Sequence, residues 1–144
     1  MKIVLVTLFF LVLTACASNP SSTEPSKIDA TIAAGGEEIE RGMLDIIGDT
    51  GATLVAVNGV WRSYLGPNGR IATQIVEDNS IKELSWRVND AGVWCQISYT
   101  TGQEECRTDI RIIKSTNHTY FYFLGNDLQE GTTFKVEGGN PYSL

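Results

Sequence analysis

The chain has 144 residues, with 11 Lys and Arg against 17 Asp and Glu, a formal net charge of −6, three cysteines and one histidine. An acidic chain without a basic run has little to offer nucleic acid, where neutralising phosphates supplies most of the affinity. Setting aside Cys16 at the end of the N-terminal apolar segment, two cysteines and one histidine fall short of the usual four-ligand zinc site. No nucleic-acid partner, metal or cofactor is therefore expected.

The first segment reads Met1-Lys2, then an apolar run over residues 3–13, then Leu13-Thr14-Ala15-Cys16. One early cation, a short apolar stretch and small residues before a cut site make a secretory signal. The run is too short for the roughly 20 residues that span a bilayer. Its last four residues resemble the lipobox of bacterial lipoproteins. That resemblance implies cleavage before Cys16, with acyl chains on its sulfur and its new α-amine. Ala17 follows the cysteine, not Asp, which under the rule for such proteins implies the outer membrane, facing the periplasm. Removing Lys2 with the signal leaves 11 − 1 = 10 basic against 17 acidic residues, net −7.

Three stretches are expected: a signal over residues 1–15, a lipidated flexible tether over 16–34, and one β-rich domain over 35–144. The tether is rich in Ser, Pro, Thr and Asn and too polar to bury a core. Residues 35–47 predict the one helix, with Ile39, Met43, Ile46 and Ile47 at helical spacing and Glu37, Glu38 and Glu40 in its first turns. Strands follow over 60–65, 70–77, 82–88, 93–99, 106–115, 119–124 and 132–136, divided by turns such as Gly66-Pro67-Asn68-Gly69 and Asn89-Asp90-Ala91-Gly92. Sequential strands with short turns predict an antiparallel meander, curved or closed into a small up-and-down barrel, with one N-terminal helix.

With Cys16 assigned to lipid, Cys95 and Cys106 remain as a disulfide pair in an oxidising compartment. They lack the Cys-x-x-Cys spacing of a redox site. Closing residues 89–92 as a four-residue loop sets Trp86 opposite Cys95 and Val88 opposite Val93. Trp86, the disulfide, Ile97, Ile110 and Ile112 then share the inner face. Arg87, Trp94, Arg107 and Arg111 share the outer face, as a partner surface of the kind binding hot spots favour. An interior lined by Ile71, Ile75, Trp86, Ile97 and Ile110 is the alternative site, for a small apolar ligand.

The order Trp61, Tyr64, a Pro-Asn-Gly turn, Trp86-Arg87-Val88, Trp94-Cys95, Cys106, Tyr120, Tyr122 and Gly139-Asn140-Pro141-Tyr142 resembles a family of small exported bacterial lipoproteins of unknown function. In that family a Trp-Cys strand and a downstream Cys frame a β-meander. The resemblance implies the fold and carries no catalytic residues over. Trp94 stands where a smaller apolar residue is the family's habit.

No catalytic constellation emerges. His118 falls in a turn with no nucleophile signature near it. Glu104 and Glu105 fall in a loop, and the Gly-Gly pairs lack the strand, helix and lysine of a phosphate loop. The chain thus reads as a non-enzymatic module of the cell envelope, binding or structural, bound to the membrane by its lipid and able to meet an envelope protein partner. Inhibition of a host lysozyme is the other function considered, since an acidic protein is drawn to a cationic enzyme.

Overall fold

The computed structural model describes residues 26–129 and 132–144. The signal, Cys16 and the tether up to residue 25 lie outside the described residues. Two short helices, α1 (Lys27–Ala33) and α2 (Met43–Ile47), accompany eleven strands. These are β1 (Glu37–Glu38), β2 (Ala52–Ala56), β3 (Trp61–Leu65), β4 (Arg70–Ile75), β5 (Ile81–Val88), β6 (Trp94–Ile97), β7 (Glu104–Cys106), β8 (Ile110–Lys114), β9 (Tyr120–Leu124), β10 (Asp127–Leu128) and β11 (Phe134–Gly138). The protein is mainly β, as its alternating patterns predict.

The strands form one antiparallel sheet in the order β1-β8-β9-β11-β2-β3-β4-β5-β6-β7, with β10 beside β9. The sheet is curled into a half-barrel. A covalent reason for the curl lies at residues 107–109. The expected long strand over 106–115 is instead β7 and β8, which sit toward opposite ends of the sheet order yet are separated by those three residues alone. The sheet must bend until its two reaches meet at that seam.

Turns of an antiparallel meander alternate between the two ends of the barrel, and this gives the molecule a closed end and a mouth. At the closed end α2 sits against the inner face. Met43 and Ile47 pack with Leu54, Leu65, Ile71, Trp94, Ile112 and Phe134, and Trp86 and Ile110 join them. Helix α2 stops where Gly48 takes a positive φ of 54°, a conformation that costs glycine little.

A second, smaller core lies outside the sheet. Ile28 of α1 covers Ile113 and Phe123, with Phe121 and Leu128 at its margin. This corrects the expected organisation: residues 27–33, assigned above to a flexible tether, form a helix whose Ile28 is buried. The start is signalled by Ser26, whose hydroxyl accepts the Asp29 N–H (3.2 Å) as an N-cap. The expected helix over 35–47 is likewise shorter. Glu37 and Glu38 pair with Lys114 and Ile113 instead, and only the five residues of α2 are helical.

The C-terminal residues cross the outer face of β2–β4. Thr53 donates to the Gly139 carbonyl (2.7 Å), Arg70 to the Leu144 carbonyl (2.7 Å), and the Arg62 guanidinium lies 4.2 Å from the Tyr142 ring centroid. Cys95 and Cys106 are directly opposed and disulfide-bonded, with Cα atoms 4.0 Å apart. They occupy a close, non-hydrogen-bonded pair, since the bonds to either side are Arg107 N–H to Trp94 O and Ser98 N–H to Gln103 O. Cross-linking residues 11 apart removes unfolded-chain entropy that the chain-entropy argument puts at about 3 kcal/mol.

Candidate functional site

The β5–β6 hairpin decides which side chains can form a site. Asn89 N–H donates to Val93 O, and Val88 lies opposite Trp94 and Arg87 opposite Cys95. The loop is therefore Asp90-Ala91-Gly92, three residues with Gly92 at φ +77°, and not the four expected. A one-residue slip turns every side chain to the other face. Trp94 thus points inward, 8 % exposed, and stacks on Trp86 with centroids 4.6 Å apart and planes 17° from parallel. The disulfide goes to the outer face in exchange.

The expected partner surface is dispersed by this register. Arg87 lies outside and holds Glu104 through two bonds of 2.7 and 2.8 Å. Arg111 lies outside on β8 and holds Glu38 through bonds of 2.7 and 2.6 Å, which lower that carboxyl's pKa from its ordinary value. Trp94 is buried. Arg107 lies opposite Trp94 on the inner side, 3.9 Å from Glu105 and 3.8 Å from Asp109. It borders a hollow of about 360 Å³ between the α2 segment and the tip of the β5–β6 hairpin. The four residues make no common patch.

The larger concavity lies at the mouth, a cavity of about 630 Å³ inside the half-barrel. Leu54, Trp61, Leu65, Ile75, Leu84 and Phe134 form much of its wall. Of the residues expected in such an interior, Ile71, Ile75 and Ile97 line it, whereas Trp86 and Ile110 are taken up by the closed end. Its polar lining groups are all neutral hydroxyls and amides. Ser63 and Thr73 share a hydrogen bond of 2.8 Å, and Gln96 accepts the Trp94 indole N–H at 3.2 Å. No described residue lining the cavity is charged.

Tyr122 belongs to this wall and has a displaced titration. Burial pushes its phenol up to about 12, with the Arg107 charge pulling weakly the other way. It stays a neutral hydroxyl on an apolar wall. Such a lining suits an uncharged molecule with a large apolar body, because a charge brought in would lose its hydration without a counter-charge. The size falls within the roughly 300–1,000 Å³ of sites that hold one small molecule.

Two other groups of reactive side chains stand apart from the cavity. His118 is exposed in the β8–β9 turn with φ +60°, and no nucleophile reaches it among the described residues. Cys95, Glu104 and Cys106 lie close together, but the two sulfurs are bonded to each other and offer no thiolate to a metal. Comparison with protein-family models, curated proteins and solved structures finds no match to this chain in any of the three.

Proposed function

We propose that this chain is an exported lipoprotein, anchored through Cys16 to the outer membrane on its periplasmic side. Its β domain is a non-catalytic binding module that holds one small apolar ligand in the mouth cavity. The observation that carries the ligand reading is the cavity of about 630 Å³ on the inner face of the curled sheet, with apolar walls and no charged lining among the described residues. The anchor rests on the Leu13-Thr14-Ala15-Cys16 pattern and the signal before it. A ligand site recessed within the barrel is favoured over a docking face on its outside, because Arg87 and Arg111 are each engaged by a carboxylate and Trp94 is buried.

Titration of the chain from Ala17 onward, which leaves out the signal and the lipidated Cys16, with the neutral fluorophore N-phenyl-1-naphthylamine tests the reading. Saturable binding is expected. Ile75→Trp, which fills the mouth opposite Trp61, should weaken it by about tenfold or more, equivalent to about 1.4 kcal/mol. Binding that never saturates, or that ignores this substitution in a folded protein, would remove the cavity as the site.

A further inference from the structure

Apolar side chains left in water are unevenly placed. Among the described residues eight large hydrophobics are exposed, and five of them stand at the mouth: Val57 (55 %), Val60 (51 %), Val76 (37 %), Ile81 (52 %) and Tyr99 (46 %). They sit on the β2–β3 and β4–β5 turns, or next to them, and just after β6. Val60 and Val76 are neighbours, since the Val76 N–H donates to the Val60 carbonyl at 3.0 Å. Each is followed or preceded in sequence by a residue of the cavity wall, Trp61 and Ile75. The exposed valines therefore border the opening of the cavity without lining it. A single exposed valine needs no explanation, whereas a cluster around the opening of a cavity marks a surface that meets something apolar.

Charges at the same end narrow what that is. Lys82 holds its ammonium 4.3 Å from the Tyr99 ring centroid. Glu77 and Asp78 occupy the β4–β5 turn, and the hydroxyl and N–H of Ser80 keep the Asp78 carboxyl below its ordinary pKa, hence charged. The β4–β5 turn and the start of β5 thus carry both signs of charge, which matches a headgroup with a phosphate and an amine and opposes a purely anionic surface. The chain also reaches the domain on this side. Helix α1 starts where Ile28 meets Leu128, next to Gln129 of the cavity wall, and runs to Gly35 beside Thr116 in a turn of the closed end. Cys16 precedes Ser26 by 26 − 16 = 10 residues, which in full extension span at most about 35 Å.

We infer that the mouth is a membrane port: its rim rests on a bilayer of zwitterionic phospholipid, and the cavity receives an acyl chain of one such lipid. The inference rests on the ligand reading above and adds the source and class of the ligand. The rim valines and Ile81 enter the interfacial layer, Lys82 lays its stem along it with the ammonium at phosphate level, and the neutral wall accepts the chain.

The test uses the full lipidated chain in vesicles of phosphatidylcholine brominated on its acyl chains, with tryptophan emission as readout. Trp61 lines the cavity, while Trp86 and Trp94 are stacked at the closed end. Quenching is expected in the unaltered chain, and the quenched component should vanish in Trp61→Phe. It should also be lost in the double variant Val60→Asp, Val76→Asp, and separately in Val57→Asp. All three rim positions are solvent-exposed, and an unchanged near-ultraviolet dichroism of the Trp86–Trp94 stack confirms the fold. Quenching that survives the rim variants overturns the port. So does absent quenching in the unaltered chain while naphthylamine still binds, which leaves the cavity reading standing; absence of both removes the two together. Loss of a dimer in the rim variants, with quenching unaffected, would make the rim a contact between copies and likewise overturn the proposal.

Discussion

The two ends of the half-barrel are built from the same strands, yet only one is filled. At the closed end Trp86, Trp94, Met43 and Ile47 complete the inner core, and the Trp86 indole N–H donates to the Gly66 carbonyl at 2.9 Å. At the mouth Trp61 and Ile75 face a cavity, and the residues beyond them stand in solvent. Side chains of similar chemistry therefore serve stability at one end and an open wall at the other. The difference lies in what covers the inner face among the described residues: α2 and an aromatic stack on one side, no helix on the other. In a barrel of about eight strands the interior is just wide enough either to be filled by side chains or to leave room for one small molecule, and this molecule is filled at one end and hollow at the other.

Substitutions should separate the ends. Trp94→Ala removes a buried ring from the stack and should cost about 3–5 kcal/mol in denaturant unfolding, while leaving naphthylamine affinity in the surviving folded fraction unchanged. A loss below about 1 kcal/mol would mean that the closed end does not hold the fold. The next effect is alkaline. Tyr122 titrates at about 12 in the folded protein against an ordinary 10. Its neutral phenol therefore contributes stability that is full below about pH 10 and is lost as pH rises from there through 12, on the order of 2–3 kcal/mol in all. Tyr122→Phe should abolish that part of the alkaline decline; an identical decline in the variant would show that the phenol is not buried as described. The smallest effect belongs to the mouth: Tyr99→Ala should change stability by no more than about 0.5 kcal/mol.

What the sequence discloses follows from which signals are local. Strands β3 to β6 were legible because alternation is strong and Gly-Pro-Asn-Gly and Asn-Asp-Ala-Gly punctuate it. Strand β2 was overlooked: Ala52-Thr53-Leu54-Val55-Ala56 contains small residues on both faces, and its identity comes from partners β3 and β11 on either side. Helix α1 carried a readable start, Ser26 three residues before Asp29, with Ile28 and Ile32 one turn apart, but the Ser- and Pro-rich composition before it masked the signal. The candidate surface failed for a different reason. Residue types in the Asn89–Gly92 turn admit both three- and four-residue loops, and only the tertiary fold selects the one that places Gly92 at positive φ. That single residue puts Trp94 in the core and not on the outer face beside Arg87.

The claim that one end is structural and the other a ligand site is tested most directly by the three indole N–H signals in nuclear magnetic resonance. They would be followed while the chain from Ala17 onward is titrated with N-phenyl-1-naphthylamine. The account predicts that the Trp61 signal shifts progressively to saturation while those of Trp86 and Trp94 stay fixed. Equal shifts at all three, or movement confined to Trp86 and Trp94, would contradict it.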